Sequence, residues 1–145
     1  MRTSDQGLQI LIDREAARKN AYLDSVGVPT IGVGHTGSDV HMGLVWTDDQ
    51  IRTAFAQDIQ RFEDAVNGAV TVALAQHQFD ALVSFSFNVG VGAFQKSTLV
   101  KKINLSDFAG AGAQFDVWHI PPEITSRRNG EREQFKGTAF TARIS

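Results

Sequence analysis

Apolar residues near the start of the chain recur at the spacing of one helical face. Leu8, Leu11 and Ile12 lie at positions i, i+3 and i+4. Glu15 continues the series at i+7, so the pattern predicts an amphipathic helix whose apolar stripe ends in a carboxylate. The four residues Thr-Ser-Asp-Gln at 3–6 offer an N-cap and a capping box for this helix.

At residues 21–34 the pattern changes to short apolar alternation around glycine, which is typical of a β-hairpin. A hairpin centred on Gly27 would place Asp24 directly opposite Thr30, with Cβ atoms roughly 4.5–5.5 Å apart on one face. No other segment predicts strands as clearly. A loop containing Gly, Ser and Asp is expected at residues 36–43.

The rest of the chain has helical spacing. Thr47-Asp48-Asp49-Gln50 forms a second capping box. It opens one long helix with a single apolar face, made of Ile51, Phe55, Ile59, Phe62 and Val66. Residues 76–88 are apolar on most sides, which predicts a buried central helix ended by Gly90 and Gly92. Three shorter helices follow, at 94–103, from a Ser106 or Asp107 cap to Trp118, and from Ser126 to Phe135 after Pro121-Pro122.

These elements predict an α+β fold that is mainly helical. We expect one domain of residues 1–145, with a small N-terminal lobe (15–60) that carries the hairpin. A larger all-helical lobe (1–14 and 61–145) would pack against it, leaving a cleft between the two. A chain of 145 residues with 42% hydrophobic and 21% charged residues suits one soluble globular domain.

Composition excludes several kinds of site. The chain has no cysteine, so disulfide frameworks, thiolate zinc sites and cysteine nucleophiles are absent. His35 and His41 with Asp39 show no strict ligand spacing, and we expect neither a metal nor a cofactor. The first residues lack the apolar core of a signal peptide, and no apolar run approaches the ~20 residues of a membrane span. We therefore expect synthesis in the cytoplasm with no export signal or membrane anchor.

Charge is unevenly distributed along the chain. Residues 1–95 carry 6 Lys and Arg against 11 Asp and Glu, whereas residues 96–145 carry 8 against 5. The C-terminal part could therefore face an anionic polymer, although ordinary solvated surface explains the same counts. Nucleic acid is a poor candidate, because no dense basic stretch with interleaved aromatic residues occurs.

Three residues suggest acid and base chemistry. Glu15 at the end of an apolar stripe is partly desolvated, which favours the protonated form that a general acid needs. Asp24 and Thr30 could together hold a water and take a proton from it. Each has a structural alternative: Glu15 could pair with Arg14, Arg18 or a distant arginine, and the other two could bond backbone N–H groups near the turn.

The spacing of these residues is more specific than any one of them. Glu15 is followed after eight residues by Asp24 and after five more by Thr30, which begins the run Thr-Ile-Gly-Val-Gly-His ending at His35. In this arrangement the chain resembles the phage-type lysozymes of glycoside hydrolase family 24. Further matches lie at 78–90, 94–99, Trp118, Arg127-Arg128 and Glu131-Arg132, so the resemblance covers residues 8–136.

The resemblance implies hydrolysis of the β-1,4 bond between N-acetylmuramic acid and N-acetylglucosamine in peptidoglycan. Glu15 would be the general acid, Asp24 the general base or electrostatic stabiliser, and Thr30 the residue that holds the water. Because the family is regarded as inverting, the two carboxyl groups are expected about 6.5–9.5 Å apart.

The resemblance also suggests supporting and binding residues. Either Arg127 or Arg128 would pair with Glu15, and His35 would form a structural ion pair with Asp58. Contacts with the glycan are expected from a further set, Asn88, Trp118 and Gly34, although Trp118 fits the core of the helical lobe equally well.

The chain departs from the family at two places. Ala16 stands where the family usually has glycine after the catalytic Glu, so its backbone must avoid positive φ or bear strain. Residues 119–125 replace a stretch rich in Gly, Lys and Leu, which puts the rim of the substrate site in doubt. We expect a monomer whose partner is peptidoglycan. The alternatives are a lytic transglycosylase, which needs no water-activating Asp, and an inactive peptidoglycan-binding module.

Overall fold

The computed structural model describes residues 1–119 and 122–137. The elements in chain order are α1 (Asp5–Glu15), β1 (Arg18–Leu23), β2 (Pro29–Gly32), α2 (Asp48–Asp58), α3 (Gln60–Ala69), α4 (Gln76–Val89), α5 (Val91–Lys96), α6 (Thr98–Asn104), α7 (Phe108–Gln114) and α8 (Thr125–Lys136). Short 3₁₀ turns lie at Phe115–Val117 and Pro122–Ile124. The mainly helical α+β class is confirmed. The chain divides into two compact units, Leu11–Gln60 and residues 1–10 with Arg61 onward.

Helix α1 begins one residue later than a capping box at Thr3 requires. Ser4 is the cap, and its Oγ accepts a hydrogen bond from Gly7 N at 3.0 Å. Since the position three residues after Ser4 is glycine, no side chain returns to close a box, and the predicted box is wrong. The Thr3 hydroxyl donates instead to Glu63 Oε2 at 2.6 Å.

The hairpin is present, but its predicted centre is wrong by one residue. Tyr22 pairs with Thr30, and Asp24 N donates to Val28 O at 3.0 Å. Gly27 has φ +82° and its N–H donates to Asp24 O, which makes a three-residue loop with a bulge at the glycine. The glycine therefore closes the turn rather than forming its middle, and Asp24 does not face Thr30 directly.

The long apolar stripe predicted from Ile51 to Val66 is buried along its whole length. Its helix is interrupted at Ile59, where ψ is −5°, so two helices, α2 and α3, replace the predicted one. No proline or glycine marks the interruption in the sequence. The capping box of Thr47 and Gln50 at the start of α2 is confirmed.

Helix α4 is the buried centre of the helical unit. Every residue from Phe79 to Ser86 is buried, and Gly90 ends the helix with φ +96°, as predicted. Gly92, which was also expected to end it, lies within α5 instead. The expected helix over 94–103 is instead two helices. Ser97 separates them, because its hydroxyl donates to Phe94 O and accepts from Val100 N, which caps α6.

The helix predicted from the Ser106 or Asp107 cap to Trp118 is shorter than expected, because α7 ends at Gln114 and a 3₁₀ turn follows at Phe115–Val117. Asp107 caps α7 through Gly110 N, and α8 begins at Thr125, one residue before the predicted start. The Pro121 half of the predicted proline break lies outside the described residues. Phe85 of α4 centres an aromatic cluster, with T-shaped contacts to Phe94, Phe115 and Trp118. Among the described helices, none combines the length and apolar character needed to cross a bilayer.

Candidate active site

Glu15 is the last residue of α1 and is half-buried. Ala16 directly follows it with φ +54°, in the left-handed region that a side chain with a Cβ disfavours. The sequence left two possibilities for Ala16, an ordinary backbone conformation or a strained one, and the observed backbone is strained. The chain therefore leaves α1 by a strained turn immediately after the carboxylate.

Asp24 is held by the hairpin loop through one of its carboxylate oxygens. Oδ1 accepts hydrogen bonds from the backbone N–H groups of Val26 and Val28, both at 2.9 Å. Within the described part of the chain, Oδ2 has no hydrogen-bond partner. The structural role considered for Asp24 is thus real, yet it occupies only one oxygen. The other oxygen keeps its capacity to accept a hydrogen bond.

Thr30 lies on β2 and is 3% exposed. Its Oγ1 donates to Val28 O at 2.9 Å. Because a hydroxyl has one proton, Thr30 can only accept a hydrogen bond from a water or ligand. Because Tyr22 pairs with Thr30, Asp24 lies two residues further along the same face of the hairpin. Diagonal neighbours of this kind are about 7–8 Å apart. The hairpin therefore presents a water acceptor and a proton acceptor on the same face.

His35 connects two aspartates. Its Nδ1 lies 2.7 Å from Asp58 Oδ2, the pair that the resemblance implies, and its Nε2 lies 3.1 Å from Asp39 Oδ2. Burial of the ring lowers the pKa of His35, but the hydrogen bonds and charges of Asp58 and Asp39 outweigh it, so this pKa lies above its ordinary value of 6.5. The hydrogen bond from His35 in turn lowers the pKa of Asp39. This cluster links the loop after β2 to the end of α2.

Arg127 and Arg128 both pair with Glu131, a residue that is fully buried. Arg127 Nε lies 3.2 Å from Glu131 Oε2, and Arg128 Nη1 lies 2.6 Å from Oε1. Ser84 Oγ of α4 donates to Glu131 Oε2 at 2.5 Å. The sequence pattern alone does not predict this cluster. The i+3 spacing of Arg128 and Glu131 was a visible signal, but the contribution of Ser84 comes from a different helix.

The predicted glycan-contacting residues differ in their surroundings. Asn88, near the end of α4, is exposed, and its Oδ1 accepts a hydrogen bond from Arg128 Nη2. Trp118 is half-buried against Phe85, and its carbonyl accepts from Arg128 Nε at 2.8 Å. Gly34 is exposed with φ +68° and open space where a Cβ would lie. Asn88 and Trp118 are thus joined through Arg128.

A metal site has no support in residues 1–119 and 122–137, where no three His, Asp or Glu side chains are grouped so as to hold an ion. Both ring nitrogens of His35 face carboxylates. Nδ1 of His41 lies 3.2 Å from the Met42 carbonyl oxygen.

Comparisons with known proteins agree on one family. The family model described as phage lysozyme matches residues 13–131. The endolysin of Salmonella phage P22 is 38% identical over 143 residues, which cover 93% of this chain and 98% of that protein. The endolysin of Bacillus phage PZA is 41% identical over 145 residues, covering 93% of this chain but only 55% of that protein.

A solved structure has the same fold. The crystal structure of a P22 lysozyme mutant superposes with a TM-score of 0.90 at 38% identity, covering 94% of this chain and 99% of that one. The similarity therefore extends over the whole length of that lysozyme.

Proposed function

Because the chain belongs to the phage lysozyme family, we propose that it is an endolysin that hydrolyses the β-1,4 bond between N-acetylmuramic acid and N-acetylglucosamine in bacterial peptidoglycan. Two relatives whose alignments cover 93% and 94% of this chain are named endolysins. One observation carries the residue-level proposal. The hairpin presents a carboxylate oxygen and a hydroxyl, both with free acceptor capacity, on the same face.

In the proposed mechanism a water donates one hydrogen bond to Thr30 Oγ1 and the other to Asp24 Oδ2. Its oxygen attacks the anomeric carbon while its proton passes to Asp24. Glu15, in its protonated form, gives its proton to the glycosidic oxygen as the bond to the anomeric carbon breaks. The products are two shorter glycans, one with a new reducing end, and the chemistry is that of an inverting hydrolase.

The backbone N–H groups of the hairpin loop give Asp24 its orientation. Since Val26 N and Val28 N both bind Oδ1, the carboxylate cannot rotate without losing two hydrogen bonds. A base held in this way loses little freedom on binding the water. Thr30 is fixed by burial and by its bond to Val28 O, so the two water partners are oriented by the same loop.

The remaining site residues are proposed in supporting roles. Asn88, Trp118 and Gly34 would contact the glycan, and His35 with Asp58 would hold the loop after β2. Either Arg127 or Arg128 would pair with Glu15, as the resemblance to the family implies. We propose synthesis in the host cytoplasm and action on the cell wall as a monomer.

Lysis of purified cell walls by single variants tests these roles. Glu15→Gln and Asp24→Asn remove the proton donor and the proton acceptor with little change in shape. We expect each to lower the rate by about 10²–10⁴-fold. Glu123→Gln and Asp64→Asn make the same chemical changes at exposed positions and should retain the wild-type rate.

The two alternatives give different results in this assay. A lytic transglycosylase would lose its activity in Glu15→Gln but keep it in Asp24→Asn, because it activates no water. An inactive binding module would show no lysis in any form of the chain. Activity that survived in both Glu15→Gln and Asp24→Asn would contradict the proposed residues.

A further inference from the structure

Arg18 is an exposed cation at the start of β1, on the hairpin that carries Asp24 and Thr30. Its guanidinium lies over the ring of Tyr22, with Cζ 4.1 Å from the ring centroid. At this distance the negative face of the ring attracts the positive charge. Within residues 1–119 and 122–137, no carboxylate forms an ion pair with Arg18 and no atom accepts a hydrogen bond from it.

The contact with Tyr22 places this cation beside the proposed water site. Tyr22 pairs with Thr30 across the hairpin, and paired residues extend from the same face of a sheet. Asp24 lies two residues beyond Tyr22, so its side chain is on that face as well. Because the guanidinium lies over the Tyr22 ring, Arg18 is on the face where Thr30 and Asp24 would hold the water.

The chemistry of Arg18 indicates what it would bind. A guanidinium has five N–H donors in a planar fork that matches the two oxygens of a carboxylate. Its contact with the ring supplies no acceptor atom for these donors. The next cation of β1 differs in this respect, because Lys19 is already paired with Asp48 at 3.2 Å. Arg18 is therefore suited to a carboxylate that comes from outside the described chain.

The proposed reaction brings such a group to this face. The water attacks the anomeric carbon of N-acetylmuramic acid, the sugar that carries the stem peptide of peptidoglycan through its lactyl group. Stem peptides have free carboxylates. A peptide extends at most about 3.3–3.6 Å per residue, so the first residues of the stem stay within reach of the hairpin that holds the water.

We propose that Arg18 is a substrate-binding residue for a stem-peptide carboxylate on the N-acetylmuramic acid unit that is cleaved, and that Tyr22 positions it. This inference rests on the proposed function and adds a part of the substrate other than the glycan. A carboxylate accepts two charge-assisted hydrogen bonds from a guanidinium, whereas a neutral amide can accept only through its one oxygen. The enzyme is thereby selective for peptidoglycan whose stem carboxylates are free.

The test compares kcat and KM on soluble peptidoglycan chains and on the same chains after their carboxylates have been converted to primary amides. We expect Arg18→Gln to raise KM on the free-carboxylate chains by about 2- to 10-fold, the range for a charge-assisted hydrogen bond at an exposed position. It should leave KM on the amidated chains nearly unchanged. The effect should fall on KM because Arg18 contacts the peptide and not the bond that breaks.

Lys19→Gln is the matched control. It removes a neighbouring positive charge from β1, so it reports any general attraction between the protein and anionic chains. Because Lys19 is already paired with Asp48, this variant should keep the wild-type preference for free carboxylates. Arg18→Lys should keep only part of that preference, since lysine retains the charge but not the planar fork.

Variants of Tyr22 test its positioning role. Tyr22→Phe keeps the ring face and should keep the preference. Tyr22→Leu removes the ring, so it should lower the preference in the wild-type background and have no effect on the preference when Arg18 is already glutamine. A purely structural role of the ring would change the rates on both materials alike. Unfolding midpoints of all variants separate folding defects from changes in preference.

Two outcomes overturn the inference without touching the proposed function. The first is a preference for free carboxylates in Arg18→Gln that equals the wild-type preference. The second is an equal change of kcat on both materials in Arg18→Gln with KM unchanged, which would mean that Arg18 acts on the catalytic groups and not on the peptide. A wild-type chain that hydrolyses neither material would instead refute the proposed function itself.

Discussion

Ala16 stores backbone strain directly beside the proposed general acid. Its φ of +54° disfavours any side chain with a Cβ, and glycine would adopt this conformation without that penalty. We predict that Ala16→Gly raises the free energy of unfolding by about 1 kcal/mol. Urea denaturation measures this change.

Ala17→Gly is the matched control for Ala16→Gly, because Ala17 has no positive φ. It should lower the free energy of unfolding or leave it unchanged, since glycine gains freedom in the unfolded chain. If both substitutions were equally destabilising, the strain at Ala16 would not exist.

The ion pairs of His35 should make the stability of the protein depend on pH. Its pKa is above 6.5 in the folded protein because of Asp58 and Asp39. The charged form is therefore favoured by folding, and its stabilisation is complete below pH 6.5 and lost as pH rises through the folded pKa. We predict that urea denaturation shows this loss of stability in the wild type and that His35→Gln removes it.

The control for His35 is His41→Gln. Among the described residues, the His41 ring has one hydrogen-bond partner, the Met42 carbonyl, and forms no ion pair, so this variant should keep the wild-type pH dependence. Equal pH profiles for the wild type and His35→Gln would show that the ion pairs do not stabilise the folded state.

Two helical glycines give opposite predictions for the same substitution. A Cβ on Gly7 of α1 would lie 2.5 Å from Asp80 Cγ, and Asp80 is buried and bound to Ser4. A Cβ on Gly68 of α3 would have no heavy atom within 4 Å. Gly7→Ala should lower the free energy of unfolding by about 1–3 kcal/mol, whereas Gly68→Ala should raise it by about 0.5–1 kcal/mol.

Thermal or urea unfolding of the two alanine variants checks the packing of α1. The two alanine variants are expected to change the free energy of unfolding in opposite directions. A general effect of alanine on helix formation would change it in the same direction in both. Stabilisation by both substitutions would mean that Asp80 moves freely, contrary to its bonds with Ser4 and Gln76.

The predictable elements were those with local signals. The Thr47 capping box, the apolar stripe of α2 and α3, and Gly90 at the end of α4 each depend on neighbours in sequence. Ser97 was missed because its hydroxyl ends one helix and caps the next within an otherwise continuous helical pattern. The hairpin register was missed because it depends on whether Gly27 closes the turn or lies at its middle.

The candidate site also has a part that the sequence predicts and a part that forms only on folding. The spacing of Glu15, Asp24 and Thr30 is visible in sequence because all three lie within one short segment. The cluster of Arg128, Glu131 and Ser84 is not, because it forms only when α8 packs against α4. The bonds that orient Asn88 could therefore be found only in the folded chain.

In the whole molecule, the basic C-terminal part is the expected region of contact with the anionic cell wall. Lys96 and Lys101 are exposed and form no ion pair with a described residue. In contrast, Lys102 pairs with Asp107 at 3.7 Å and Arg132 with Asp116 at 2.7 Å. A cation without a carboxylate partner interacts more strongly with an anionic polymer.

We therefore predict that reversing Lys96 and Lys101 to Glu weakens wall binding severalfold and reduces its dependence on salt. The control reverses Lys102 and Arg132, and its effect should be smaller. Sedimentation with purified walls at low and high salt measures binding, with Glu15→Gln in every protein to prevent lysis. Unchanged binding after both reversals would mean that the charge asymmetry is ordinary surface composition.

In the proposed reaction the protein cleaves peptidoglycan by adding water to the glycosidic bond. Mass spectrometry of the products from purified peptidoglycan tests this most directly, because the end left on muramic acid records the reaction. We predict reducing N-acetylmuramic acid ends, which the wild type forms and which are lost in Glu15→Gln and Asp24→Asn. Products with 1,6-anhydro ends, or no cleavage at all, would contradict it.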